Sequence, residues 1–474
     1  MSLTFNDWLE SGNLPASSWS TSTRDLATYA IDRAPVTDYH EPLAVLWPEN
    51  IEQVQLIVRA AAASGTPIVA RGAGTSVSGG AHATKGCVVL SLERMNRILD
   101  INVEDETAVV EPGVINADLG RAVAAYGLMY APDPASYEIS TIGGNVATNA
   151  GGLRCAKYGV TRDSVLALDV VLADGTLINT GHKTFKGVAG YDLTGLFVGS
   201  EGTLGIVVGI TVRLRYLPQD TETIAAFFPD FPSAARGVLA VGKARVQPAI
   251  MELLDRATLE VLDKAHGTSL TSIGNALLLI QTDGRASVEE AVVIKAELSK
   301  LGAAIDSLSA GYAERLLHLR RHSRGDEIDD EFRVGEDIAV PRSRLVDYVG
   351  ALEGLAQKHQ VHLKVVAHAG DGNLHPTFWV EPEEASEGVA RLEAALDESV
   401  DIALAMSGTI TGEHGIGQYK LQWLPRELSV ESLDLQRRIK EVFDPQGLLN
   451  PGKAILSAES THQVRHAKQV TALS

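Results

Sequence analysis

Cysteine is nearly absent from this 474-residue chain, which holds only Cys87 and Cys155. Two thiols without CxxC spacing can form one bridge at most, and they cannot ligate an iron–sulfur cluster within the chain. The usage fits a reducing compartment. Positive charge is also short: 41 Lys and Arg face 60 Asp and Glu, a formal net charge of −19. No basic footprint of the kind nucleic acid requires is visible, so no nucleic-acid partner is expected. An anionic substrate would be repelled by the overall field and would need local positive partners. Long apolar runs are missing as well. None reaches the length of a bilayer, so no transmembrane segment is expected, and the opening Met1–Asn6 is polar without a secretory pattern. The expected location is cytoplasmic, with any peripheral attachment at the inner membrane face made through a partner. Internal repeats and low-complexity tracts are absent too.

Glycine, by contrast, is abundant, with 44 residues, many of them clustered. Such clusters mark backbone that turns tightly or approaches a ligand closely. The length favours two domains. Residues 1–40 read as a polar extension with a short helix. Regular patterning begins near Pro42: a strand at Leu43–Trp47, a helix at Ile51–Ala63 ending at Gly65, and strands at Thr66–Ala70 and Val88–Leu92. Ala117–Gly127 reads as a helix, Ala131–Arg162 as irregular, and Ala167–Leu172 with Thr176–Asn179 as a hairpin turning at Asp174-Gly175. Gly205–Arg215 is a strand halted by Pro218. Beyond it, Ala276–Gln281 reads as a strand, while Val288–Leu301 and Arg344–His359 read as helices, the mixture of an α+β domain. The tail is helical from Val430 and polar over 456–474.

Arg71-Gly-Ala-Gly-Thr-Ser-Val-Ser-Gly-Gly80 follows a strand and invites a dinucleotide-fold reading. The third glycine of GxGxxG is missing, and the next element is a strand rather than a helix, so that reading fails. What remains is either a long turn or a loop of backbone N–H groups and small hydroxyls able to nest an anion. Pro132–Gly152 and Glu201–Ile206 repeat this chemistry, with little capacity to build a core.

Taken in order, the three segments resemble the FAD-binding domain of the vanillyl-alcohol oxidase / p-cresol methylhydroxylase flavoprotein superfamily. The resemblance implies that Arg71, Gly72, Ala73, Gly74, Thr75 and Ser76, with Gly79, cradle the FAD pyrophosphate. It implies that Pro132, Asp133, Ser140, Thr141, Gly143, Gly144, Asn145, Thr148, Asn149, Ala150 and Gly151 line the flavin and its phosphates. Glu201, Gly202, Gly205 and Ile206 would hold the adenine or ribose end. Covalent members often carry histidine where this chain has Thr75, and His82 lies further on, so non-covalent FAD is expected.

The densest polar chemistry is Val365-Val-Ala-His368-Ala-Gly-Asp-Gly-Asn-Leu-His375-Pro-Thr-Phe-Trp-Val380. Two apolar runs flank the Gly-Asp-Gly-Asn turn, which would place both histidines on the arms of a hairpin. Histidines with a carboxylate form a common ligand set for divalent zinc, manganese or iron. A Glu413-His414 pair between glycines follows in Gly408–Gly417. This half resembles the C-terminal domain of FAD-linked 2-hydroxy-acid dehydrogenases, the group of D-lactate dehydrogenase, the glycolate oxidase flavoprotein subunit and D-2-hydroxyglutarate dehydrogenase. The implied fold class is α+β: a two-subdomain FAD-binding domain over 41–217, then a substrate (cap) domain with an antiparallel sheet over 218–455 whose end returns to the first.

By the same resemblance His368, His375 and Glu413 bind a divalent metal, zinc first with manganese or iron as alternatives, and His414 is the base. Leu316–Arg324 offers guanidinium groups for a substrate carboxylate. Arg320 matches the family position, whereas Arg321 and Arg324 read equally as a solvated helix face. The hydroxyglutarate enzymes carry lysine near Gly335 and asparagine near Thr377. Their replacement here favours a small monocarboxylate, D-lactate first and glycolate next, over D-2-hydroxyglutarate. Expected partners are the 2-hydroxy or 2-oxo acid, an electron acceptor (quinone, cytochrome or electron-transfer protein) and a second copy in a homodimer. The alternative class is a non-catalytic FAD subunit of an electron-transfer complex.

Overall fold

The computed structural model describes residues 4–35, 38–305, 310–321 and 332–456. The chain divides into two compact units. One contains Met1–Ala150, Val160–Leu217 and the segment from His414; the other contains Gly151–Gly159 and Pro218–Glu413. Residues 4–35, from the stretch read as a polar extension, contribute to the first unit. Helices Phe5–Glu10 and Thr23–Tyr29 form there, and Phe5, Leu9 and Leu14 share a core with Leu46, Ile57 and Leu90.

In the first unit a four-stranded sheet runs in the order Trp19–Ser20, Val45–Leu46, Val88–Ser91, Ile68–Arg71, the last three strands parallel. Helix Ile51–Ser64 makes the crossover from 45–46 to 68–71. Asn50 caps its start, and Gly65 ends it in the left-handed region at φ +67. Val54, Ile57, Val58 and Ala61 recur at helical spacing and are buried on one face. A five-stranded antiparallel sheet follows the order Ile98–Asn102, Thr107–Val110, Ile206–Arg213, Val165–Val171, Leu177–Gly181. The turn at Asp174-Gly175 joins the last two through the pair Val171↔Leu177.

The stretch 131–162, expected to be irregular, contains a helix at Ile142–Thr148 and single turns at Cys155–Tyr158 and Thr161–Ser164. Caps supply what its Gly-Gly-Asn composition lacks: Thr141 accepts from Gly144 N–H, and Asn149 closes the helix at φ +52. The tail packs back on this unit after helix Val430–Phe443. Phe443 lies edge-on 5.3 Å from Phe197, and Asn450 N–H donates to the Ile68 carbonyl at 2.8 Å.

The second unit is one antiparallel sheet ordered Ala304–Ile305, Thr221–Phe228, Ala276–Asp283, Ile250–Leu254, His362–His368, Asn373–Val380, Phe332–Gly335, with Ile338–Ala339 also paired to 373–380. Helices Arg256–His266 and Ala310–Arg321 cover one face through a cluster that includes Ile250, Leu254, Leu259, Leu277 and Leu316. Phe231–Lys243, Ser287–Lys300, Leu345–His359 and Ala385–Ala405 pack on the other. No expectation covered Ala385–Ala405, although Leu392, Leu396, Val400 and Ala403 are buried at helical spacing. No helix among the described residues is long and apolar enough to cross a membrane.

Candidate active site

In the first unit, strand Ile68–Arg71 releases the chain into the glycine loop. The backbone N–H groups of residues 72 to 77 donate to no acceptor among the described residues, and the loop is kept open by Gly74 and Gly79 at φ +69 and +77. Gly72 is bare of a side chain because a Cβ there would fall 2.3 Å from Thr141 Oγ1. The loop thus rests on the start of helix Ile142–Thr148, and two of the expected flavin segments converge. Arg71 is buried, donates to the Ile31 carbonyl at 2.7 Å and lies against Gly74. Unclaimed N–H groups above a buried guanidinium fit an anionic pyrophosphate. Ala73, Thr75 and Ser76 belong to the same open run.

The neighbouring glycines also meet local packing and hydrogen-bonding needs. Ile142 N–H donates to Val114, Gly143 N–H to Pro112 and Gly144 N–H to Thr141 Oγ1, so the helix start has already spent its donors. Gly143 and Gly205 answer to packing, since a Cβ would lie 2.5 Å from Pro112 Cβ and 2.4 Å from Val170 Cγ1. Pro132 accepts from Asn116 Nδ2, Thr148 Oγ1 donates back to Gly144, Asn149 accepts from Arg162 N–H, and Ala150 accepts from Thr161 Oγ1. Asp133, Ser140 and Asn145 are buried, and Ile206 opens a core strand.

Glu201, with Gly202 beside it at φ +70, ties two loops of the first unit together. Its carboxylate accepts from Ile416 N–H and Gly417 N–H, each at 2.8 Å. Burial pushes its pKa up to about 7 against those hydrogen bonds. Ser78 adds a second tie, its Oγ donating to the His414 carbonyl at 3.1 Å. The loop that carries His414 is therefore fastened to the glycine loop of the same unit. His82 is buried with Nδ1 3.0 Å from Asp32 Oδ1.

In the second unit the expected hairpin is formed by His362–His368 and Asn373–Val380, with His368 opposite Asn373 and His375 opposite Val366. This register sets both imidazoles on one face as diagonal neighbours, ring centroids 5.2 Å apart and nearly perpendicular. Glu413 Oε1 lies 3.3 Å from Nε2 of His368 and 3.3 Å from Nε2 of His375. Gly151, expected at the flavin, sits against this carboxylate: a Cβ there would be 2.6 Å from Glu413 Oε2. Asp337, His375 and Glu413 each offer a ligand atom, all within 4.8 Å of one another.

Two carboxylates escaped the sequence reading. Glu252 lies opposite His368 on the next strand, its Oε1 2.6 Å from His368 Nδ1 and its Oε2 2.7 Å from Arg320 Nη2. Arg320, expected to reach a substrate carboxylate, is thus a buried partner of Glu252. Arg324 and the side chain of Arg321 lie outside the described residues. Asp337 accepts from Glu413 N–H and Gly412 N–H at 2.9 Å and from Asn373 Nδ2 at 2.7 Å, holding the Glu413 loop to the hairpin. The available signal was a charged residue inside the apolar strand Ile250–Leu254.

Burial opposes charge on both members of the central pair, yet each overcomes it. The Glu252 and Glu413 carboxylates hold His368 well above the usual imidazole range, and His368 with His375 holds Glu413 well below the carboxylate range. Two buried carboxylates, Glu252 and Asp337, and the partly buried Glu413 lie around Arg320 and two imidazoles. Mixed N and O donors with surplus negative charge fit a divalent cation.

Comparison with known proteins shows the family of the chain. Residues 217–454 match the family described as FAD linked oxidases, C-terminal domain, and residues 42–181 match an FAD binding domain. Glycolate oxidase subunit GlcD of Bacillus subtilis (strain 168) is 42% identical over 418 residues, 87% of this chain and 88% of that protein. The D-lactate dehydrogenase of Archaeoglobus fulgidus is 36% identical over 420 residues, spanning 88% and 92%. The structure of p-cresol methylhydroxylase with substrate bound superposes with a TM-score of 0.75 over 92% of this chain and 94% of that one. Its identity is 18%, so the likeness is one of fold.

Proposed function

Because the chain belongs to the FAD-linked oxidases, we propose that it dehydrogenates a small D-2-hydroxy monocarboxylate, D-lactate first and glycolate next, to the 2-oxo acid. The observation that carries this reading is the convergence of His368 Nε2 and His375 Nε2 on Glu413 Oε1, each at 3.3 Å. When bound, the flavin supplies a hydride acceptor and a divalent metal acidifies an alcohol oxygen. His368, His375 and Glu413 would hold the metal, whether zinc, manganese or iron. Residues 71–77 would hold the FAD pyrophosphate non-covalently, with the remaining glycine-segment residues around the cofactor.

His414 is assigned the hydroxyl proton. A neutral imidazole is suited to that work near neutral pH, and its backbone is fixed by Ser78. Arg320 is assigned the substrate carboxylate, as a fork already anchored at one corner by Glu252. Gly335 and Thr377 face each other on paired strands. Neither brings a charge for a second carboxylate, which supports a monocarboxylate over hydroxyglutarate. Electrons then pass to a quinone, a cytochrome or an electron-transfer protein, since two cysteines supply no iron–sulfur ligand set.

A panel of D-lactate, L-lactate, glycolate and D-2-hydroxyglutarate with an artificial dye acceptor tests the assignment. Turnover is expected to be fastest with D-lactate. A preference for hydroxyglutarate would sink the substrate assignment, and no turnover with any acid would favour a non-catalytic FAD subunit.

A further inference from the structure

We propose that Glu252 is a positioning residue that aligns His368 and Arg320 from a single buried carboxylate. The proposal rests on the metal-site reading above. Glu252 is fully buried on strand Ile250–Leu254. Its neighbours on the same face, Ile250 and Leu254, belong to the apolar cluster under helices Arg256–His266 and Ala310–Arg321. A carboxylate set among such residues is unfavourable unless its partners are fixed.

Both partners are fixed. Cross-strand register puts Glu252 directly opposite His368, and Oε1 meets Nδ1 at 2.6 Å. Oε2 meets Arg320 Nη2 at 2.7 Å, with the arginine side chain 3% exposed. Two consequences follow from the geometry. With Nδ1 donating to Glu252, the His368 ring cannot rotate without breaking a buried pair, so Nε2 stays aimed at Glu413. With Oε2 2.7 Å from Nη2, the ion pair fixes where the Arg320 charge lies. A single carboxylate thereby sets both the metal-ligand candidate and the carboxylate anchor. Carboxylates that accept from the second nitrogen of a ligating histidine commonly act in this way.

The test uses the full-length, FAD-loaded protein, with Zn²⁺ affinity read by competition with a chromogenic chelator. Glu252→Gln is expected to weaken Zn²⁺ binding by about 10–100-fold, to raise KM for D-lactate, and to leave FAD content unchanged. Arg320→Lys keeps a charge beside Glu252, so it is expected to raise KM while keeping Zn²⁺ affinity. Wild-type affinity and KM in Glu252→Gln, alongside loss of Zn²⁺ binding in His375→Ala, would overturn the positioning role and leave the metal site standing. Wild-type Zn²⁺ affinity in His375→Ala would remove the metal site and this proposal together. A measurement on the native protein guards against a variant that misfolds. A downfield imidazole N–H proton resonance, abolished in His368→Gln, is expected, and its absence would also overturn the proposal.

Discussion

At the scale of single residues, charged groups that would be costly to bury are made tenable by backbone donors or by one another. Glu201 is the clearest case in the first unit. Its folded pKa, pushed up by burial to about 7, stands above the ordinary 4.5. Its protonated form is thus favoured by folding, and the associated stability is present at low pH and declines as pH rises from 4.5 towards 7. Glu201→Gln should flatten that slope in urea unfolding measured across this window. Glu201→Ala leaves Ile416 N–H and Gly417 N–H without their acceptor and should cost about 1–3 kcal/mol. In the site itself, His414→Ala should slow flavin reduction by roughly 10²–10⁴-fold with FAD still bound. Wild-type reduction rates in a stopped-flow trace would contradict the base assignment.

At the scale of elements, legibility followed local chemistry. The hairpin 362–380 was readable because Gly-Asp-Gly-Asn can only turn and the flanks are apolar. The glycine loop was readable as something other than a dinucleotide fold because a strand, Val88–Ser91, follows it. Helix Ile142–Thr148 was hidden, since it depends on Thr141 and on a left-handed Asn149 rather than on propensity. Glu252 and Asp337 were hidden for a related reason: their importance lies in cross-strand register, which a local pattern does not encode. The pairing of Arg320 with Glu252 was hidden for the same reason. Register also explains Asp255. It caps helix Arg256–His266 through Thr258 N–H at 2.9 Å and accepts from Val365 N–H of the hairpin strand at 2.7 Å. Losing both acceptors in Asp255→Ala should lower stability by about 1–3 kcal/mol, visible as a lower urea midpoint. An unchanged midpoint would contradict this double role.

At the scale of the whole molecule, the chain leaves each unit and returns, so residues distant in sequence share a core. Ile68 and Leu449 pair in the first unit, and Gly151 meets Glu413 in the second. A net charge of −19 surrounds a site assigned to an anion. Screening that field should lower KM for D-lactate as ionic strength rises towards about 0.15 M; a KM that climbs with salt would show that local attraction outweighs it. In the proposed reaction, flavin reduction by a 2-hydroxy acid depends on a divalent metal held by His368, His375 and Glu413. The direct test is anaerobic mixing of D-lactate with the native and the chelator-treated protein while following the flavin's visible absorbance. Bleaching in the native protein, its loss after chelation, and its return on adding Zn²⁺ or Mn²⁺ are predicted. Equal bleaching before and after complete removal of metal would contradict the account.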